Sequence, residues 1–101
     1  MKKVRITVMC RHEYPKLMEK YELPQENPCE MNIGDEFVSV DARKPQNFCN
    51  NAWETLAPFV KKLAEGGGNF YGEWMKNPHS AMLSCNDGFR PVSYYIEAIE
   101  E

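Results

Sequence analysis

Hydrophobic and polar residues alternate cleanly near the start of the chain. Over residues 3–10, one face carries Val4, Ile6, Val8 and Cys10. A period of two residues is typical of a strand with one buried face. The pattern therefore predicts a first strand over residues 3–10, with Cys10 pointing into the core.

A different spacing follows this strand. Tyr14, Leu17, Met18 and Tyr21 recur at intervals of three and one, which places them on one face of a helix. Proline at position 15 suits a first helical turn, and proline at position 24 cannot continue a helix. The segment is predicted to be a short helix.

The longest helical pattern lies in the middle of the chain. Trp53, Leu56, Val60 and Leu63 repeat at intervals of 3, 4 and 3. The segment 51–54 fits a capping box, and the three glycines at 66–68 fit a helix stop. Proline at position 58 removes one backbone hydrogen bond, so the main helix is expected to kink or to break into two pieces there.

Three further strands complete the pattern. The first covers residues 36–41, with Val38 and Val40 on one face, and the other two cover residues 80–85 and 91–99. Asp87 and Gly88 between the last two indicate a tight hairpin turn. The predicted fold is α+β, in the order β-α-β-α-β-β. It is a single domain, 1–101, with a small, mostly antiparallel sheet of about four strands and one main kinked helix. Both an open sheet and a barrel-like closure satisfy this pattern.

Composition narrows the functional classes. The 101 residues carry a formal charge of −3, and their basic residues are scattered rather than grouped in a stripe, which argues against nucleic-acid binding. The sequence contains neither a secretory apolar segment nor an apolar run that could span a bilayer. The expectation is therefore a cytoplasmic protein that does not bind membranes, in which thiols stay reduced.

Four cysteines, at positions 10, 29, 49 and 85, are the most prominent candidates for chemistry. No CxxC pair is present, so the usual zinc-ribbon spacing is missing. Cys10 and Cys85 both end predicted strands and face inward, whereas Cys29 lies in a loop. Cys49 precedes the main helix, where the helix dipole would favour a thiolate. Three interpretations remain open: buried structural thiols, which the residue type favours, a metal or iron–sulfur site, and a reactive thiol at Cys49.

Two histidines could complete a metal site, because imidazole suits zinc and iron. His12 follows the first strand, and His79 precedes the third. An isolated loop histidine is more often a surface residue. The glycines at 66–68 follow a helix instead of preceding one, so they are interpreted as a stop and not as a phosphate loop.

The remaining candidates for ligand-binding residues are an aromatic cluster and an arginine. Phe70, Tyr71 and Trp74 could line a ligand pocket, although such residues more often plug the end of a small core. Arg90, after the hairpin turn, could grip a carboxylate with its fork of donors. The simpler interpretation of Arg90 is a surface side chain.

Several short motifs together resemble one known family. They are Pro28-Cys29, Gly34-Asp35-Glu36-Phe37, Phe48-Cys49 with Ala52-Trp53, Gly67-Gly68-Asn69-Phe70, Trp74 to Pro78, and the segment from Cys85 to Val92, CNDGFRPV. The family consists of small prokaryotic single-domain proteins of unknown function. The resemblance spans nearly the whole chain, and its last motif is the most specific.

The resemblance implies an intracellular protein with cysteines matching Cys29, Cys49 and Cys85. In the family pattern a further cysteine often stands where this chain has Ser84, and Cys10 has no regular counterpart. The resemblance implies no catalytic residue. Three hypotheses follow: a zinc or iron–sulfur site of Cys29, Cys49 and Cys85 in an accessory or electron-transfer role; a metal-free protein that binds a ligand or a partner subunit through residues 70–75; and a redox or nucleophilic thiol at Cys49. A protein partner or a homo-oligomer is expected, without a predicted surface for the latter. Three thiolates leave one coordination position open for water, histidine or substrate, which would permit chemistry, but an enzyme is the less favoured class.

Overall fold

The computed structural model of the protein describes residues 1–24 and 30–99. In this part the chain forms seven elements, in the order β1 (Lys3–Arg11), α1 (Pro15–Tyr21), β2 (Glu36–Ser39), α2 (Asn50–Ala64), the short helical turn α3 (Phe70–Glu73), β3 (Ser80–Ser84) and β4 (Val92–Ile99). The predicted α+β class is confirmed, and so are the short helix after β1 and the final pair of strands.

The four strands form one antiparallel sheet in the order β2-β1-β4-β3. The two central strands are thus the first and the last strand of the chain. β2 and β3 are the edges, so the sheet that the described residues form is open.

One face of the sheet is covered by α2, and the core lies between them. Alternate residues of the central strands are fully buried, among them Ile6 in β1 and Ile96 in β4, which face each other across the ladder. The stripe predicted for the main helix supplies the other side of the core with Leu56, Val60 and Leu63, all with no exposed surface. Burying such side chains contributes roughly 1.5–3 kcal/mol each, so this layer stabilises the fold.

The end of β1 departs from simple alternation. Val8 pairs with Tyr94, but Cys10 pairs with Ser93, so Met9 is an extra residue on β1. A β-bulge of this kind turns the following side chains to the opposite face. Cys10 is therefore exposed on the outer face of the sheet, and the prediction that it points into the core is wrong.

The start of α2 differs from the prediction, whereas its end agrees with the prediction. The helix begins at Asn50, its N-cap is Cys49, and no side chain caps it, so the capping box at 51–54 is wrong. At the other end, Gly66 has a φ of +91° and the Gly66 and Gly67 amides donate to the carbonyls of Leu63 and Lys62. This is a Schellman motif, which confirms the glycine stop.

Two further details correct the sequence interpretation. The main helix runs without interruption past Pro58, so it does not break into two pieces. The connection between β3 and β4 is a seven-residue loop in which Gly88 does not adopt a left-handed conformation. Instead, the carboxylate of Asp87 accepts hydrogen bonds from the amides of Phe89 and Arg90, at 2.8 and 3.2 Å, and this side chain makes the turn.

Candidate functional site

Residues 70–75 form the aromatic loop. The base of this loop consists of two chain segments in close contact, residues 67–69 and residues 78–79. The amide of Asn69 donates to the carbonyl of Pro78 at 2.7 Å. Nδ1 of His79 donates to the carbonyl of Gly67 at 3.1 Å. A Cβ atom at Gly68 would lie only 2.1 Å from the Pro78 carbonyl oxygen, so only glycine permits this close approach.

The backbone of the loop is strained above this base. Asn69, Tyr71, Gly72 and Glu73 all have positive φ angles, between 56° and 71°. For residues with a Cβ atom this conformation costs roughly 1–2 kcal/mol each. Such strain persists only where the surrounding structure holds it, and the hydrogen bonds at the base do so here.

The strained backbone separates the three aromatic residues that were predicted together. Phe70 is buried against Phe59, with ring centroids 5.2 Å apart, and it closes one end of the core. Trp74 is 76% exposed, and Tyr71 is 52% exposed. The Tyr71 ring lies 6.1 Å from that of Phe59 and 5.2 Å from that of Trp74, the latter in an edge-to-face arrangement. The aromatic loop is thus fixed to the core by Phe70 and exposes much of Tyr71 and Trp74 to solvent.

Cys49 lies at the start of α2, half-buried against the core. Its carbonyl accepts the first hydrogen bond of the helix, from the amide of Trp53 at 3.0 Å. The ammonium group of Lys44 donates to the carbonyl of Phe48 at 3.1 Å and to the side chain of Asn50. A positive charge is therefore held by the two residues that flank Cys49.

Cys85 lies just beyond β3 and is half-buried against the same core. Its sulfur accepts a hydrogen bond from the amide of Val92 at 3.3 Å. Cys29 lies outside the described residues. Within residues 1–24 and 30–99, no group of three or more histidine, cysteine, aspartate or glutamate side chains is arranged to hold a metal ion. The predicted site of Cys29, Cys49 and Cys85 stays a prediction.

The two histidines have different environments. His79 is part of the base of the aromatic loop through its bond to Gly67, and its carbonyl accepts a hydrogen bond from the amide of Ala98 at 2.9 Å. His12 is exposed, and its amide donates to the carbonyl of Pro91 at 3.0 Å. This backbone bond extends the pairing of the two strands past the last residue of β1 and before the first residue of β4.

Arg90 is buried and binds a carboxylate, which is one of the two interpretations that the sequence left open. Its side chain is 8% exposed, and its two terminal nitrogens lie 2.9 and 2.8 Å from the two carboxylate oxygens of Glu22. The hydrogen bonds to Glu22 raise the pKa of Arg90 above its ordinary value and outweigh burial, which lowers it. Nothing in the sequence pointed to Glu22, because the partners are 68 positions apart.

The Arg90–Glu22 pair also holds α1. That helix has no buried residue. The bond from the Tyr14 amide to the Phe89 carbonyl, 2.9 Å long, also connects it to the rest of the fold. Its apolar residues Leu17 and Tyr21 are 45% and 67% exposed. The predicted helical face therefore exists but does not pack on the core.

Comparison of the chain with protein-family models, with curated proteins and with solved structures finds no match. Among the helices of the described residues, none has the length and apolar character needed to cross a bilayer. The functional interpretation therefore depends on the geometry of the molecule itself.

Proposed function

We propose that the protein is a binding module that engages a partner protein through the aromatic loop, residues 70–75. The observation that carries this proposal is the exposure of Trp74, 76%, together with its contact to Tyr71 on a strained and anchored backbone. Tryptophan and tyrosine are the residue types that most often dominate the binding energy of protein interfaces.

The energetics of the loop favour binding over a purely structural role. Exposing a tryptophan to water gives no stability to the folded chain, and positive φ angles at Tyr71 and Glu73 cost free energy. Because the base already holds the loop, little conformational entropy remains to be lost when a partner binds, and this preorganisation increases affinity.

The side chains of the loop also indicate the chemistry of the partner. The exposed aromatic pair requires an apolar pocket that accepts an indole ring. Glu73 and Lys76 are exposed on either side of Trp74 in the sequence, so they are placed to meet polar groups at the rim of such a pocket. The proposed partner surface is an apolar pocket with a polar rim.

The test uses a photo-crosslinking amino acid at position 71, with position 21 as a matched control. Both positions carry exposed tyrosines, 52% and 67%, but Tyr21 lies on α1. We expect one partner to be crosslinked from position 71 and not from position 21. Binding of that purified partner should weaken by roughly tenfold or more in Trp74→Ala and should be unchanged in Tyr21→Ala. Equal crosslinking from both positions, or a crosslink only to a second copy of the chain, contradicts the proposal.

The cysteine site is the second candidate function. Cys49 and Cys85 are both half-buried at the margin of the same core, which supports a zinc or iron–sulfur site that they would complete with Cys29. Three thiolates leave one coordination position for a further ligand, so such a site could serve electron transfer or an accessory role.

Purification without oxygen, followed by metal analysis and visible absorption, tests the second candidate. Stoichiometric metal should be lost in Cys49→Ser and in Cys85→Ser. It should be retained in Cys10→Ser, because Cys10 lies on the other face of the sheet. Metal-free protein, or metal that all three variants retain equally, excludes this site.

A further inference from the structure

The guanidinium of Arg90 is only partly used by Glu22. Each of its terminal nitrogens donates one hydrogen to the carboxylate. The Nε–H group and one remaining terminal N–H therefore form a second pair of parallel donors along the side edge of the guanidinium. Nε is buried, and among residues 1–24 and 30–99 it has no hydrogen-bond partner.

A buried donor without an acceptor is costly and uncommon in folded proteins. The side edge of a guanidinium matches two oxygens of a carboxylate or a phosphate, and such bidentate contacts are among the strongest hydrogen bonds of proteins. Nε has no accessible surface in this conformation and, among the described residues, no acceptor, so an oxyanion that reaches this edge as neighbouring side chains shift would satisfy it.

Arg90 lines a groove of about 570 Å³ together with Arg11, His12 and Glu13. The backbone bond from His12 to Pro91 places the residues after β1 beside the segment that carries Arg90. The groove is within the size range of small-molecule sites. It offers one further guanidinium and an imidazole as donors, against the single carboxylate of Glu13.

We propose that this groove binds a small oxyanion, a carboxylate or a phosphate, with Arg90 as the central donor and Arg11 and His12 at the rim. Glu22, Asp87 and Glu13 surround Arg90 and outnumber the two arginine charges, so attraction of net charge does not contribute. Recognition depends instead on the paired donors of the Arg90 edge. This site is independent of the aromatic loop.

The test follows the Nε–H resonances of the arginines by NMR during titration with inorganic phosphate and, separately, with acetate. The Arg90 resonance is assigned by its loss in Arg90→Lys. We expect it to shift and saturate with at least one of the two anions, and the anion that binds tighter identifies the ligand class. Sodium chloride at equal ionic strength should leave the resonance in place.

Two exposed arginines provide the matched variants. Arg11→Gln should weaken binding by about two- to fivefold, as expected for the loss of one exposed charge. Arg43→Gln removes an exposed arginine that pairs with Asp41 elsewhere in the fold and should leave the affinity unchanged. The proposal is overturned if neither anion shifts the Arg90 resonance, if chloride reproduces the shift, or if the two variants behave alike.

Discussion

Replacing Gly68 by alanine tests the base of the aromatic loop directly. The added Cβ atom would lie 2.1 Å from the carbonyl oxygen of Pro78 and 3.1 Å from Nδ1 of His79. Ordinary contacts of a Cβ atom begin near 3.4 Å, so the two segments must separate by more than 1 Å. The nearest atom belongs to the backbone, and no rotation of a side chain can relieve the clash.

The expected loss of stability follows from three contributions. Forcing extra volume into a packed contact costs typically about 1–3 kcal/mol. Separating the segments also strains or breaks the Asn69–Pro78 and His79–Gly67 hydrogen bonds, each of which contributes roughly 1 kcal/mol net. Against this, alanine reduces the entropy of the unfolded chain and returns about 0.4–1 kcal/mol. The free energy of unfolding should therefore fall by ~2–4.5 kcal/mol.

Urea unfolding at constant temperature measures this change, and Gly88→Ala is the control. A Cβ atom at Gly88 meets nothing within 4 Å, and the residue does not have a positive φ, so that variant should be unchanged or slightly more stable. For Gly68→Ala the urea midpoint should fall by about 1–2 M. If the free energy of unfolding of Gly68→Ala lies within about 0.5 kcal/mol of the wild-type value, the two segments of the base are not in the close contact described.

Three further predictions concern the core, the bulge and an ion pair. Leu56→Ala should lower the free energy of unfolding by about 2–5 kcal/mol in a urea titration, because the side chain has no exposed surface; a loss below 1 kcal/mol would contradict its place in the core. In the native protein an alkylating reagent should modify Cys10 faster than Cys49 or Cys85, as mass spectrometry can follow, because only Cys10 of these three is exposed; equal rates would argue against the bulge. The hydrogen bond to Glu97 raises the pKa of Arg5, so the stability it contributes is complete from neutral pH up to the ordinary arginine range and is lost in stronger base. The difference in urea midpoint between the wild-type protein and Arg5→Gln should therefore be constant from about pH 6 to 10, and a marked change within that window would refute the assignment.

The sequence correctly predicted those strands and helices that bury one face against the core. Alternation in β4 and the 3-4-3 spacing in α2 follow directly from packing these elements against each other, so Tyr94 and Leu56 are buried where the pattern placed them. The glycine stop was also predictable, because the left-handed conformation at Gly66 strongly favours glycine.

The parts that the sequence could not predict depend on partners far away in the chain. The apolar alternation of β1 continues through Cys10, and only the pairing of Cys10 with Ser93 on β4 reveals the bulge. The contact of Arg90 with Glu22 likewise joins residues 68 positions apart. The start of α2 was misplaced because Asn51 has capping chemistry, whereas the observed N-cap, Cys49, uses no side-chain hydrogen bond.

The bulge has a direct consequence for the cysteine hypothesis. Cys85 packs against the core on the face covered by α2, whereas Cys10 is exposed on the opposite face. A metal ion bound between Cys49 and Cys85 would lie on the α2 side of the sheet, and the sheet itself would separate it from Cys10. Any third thiolate must therefore come from Cys29. For this reason Cys10→Ser is the appropriate control for a metal site, and Cys29→Ser is the decisive variant. Metal that survives the loss of Cys29 would require a different set of ligands from the one proposed.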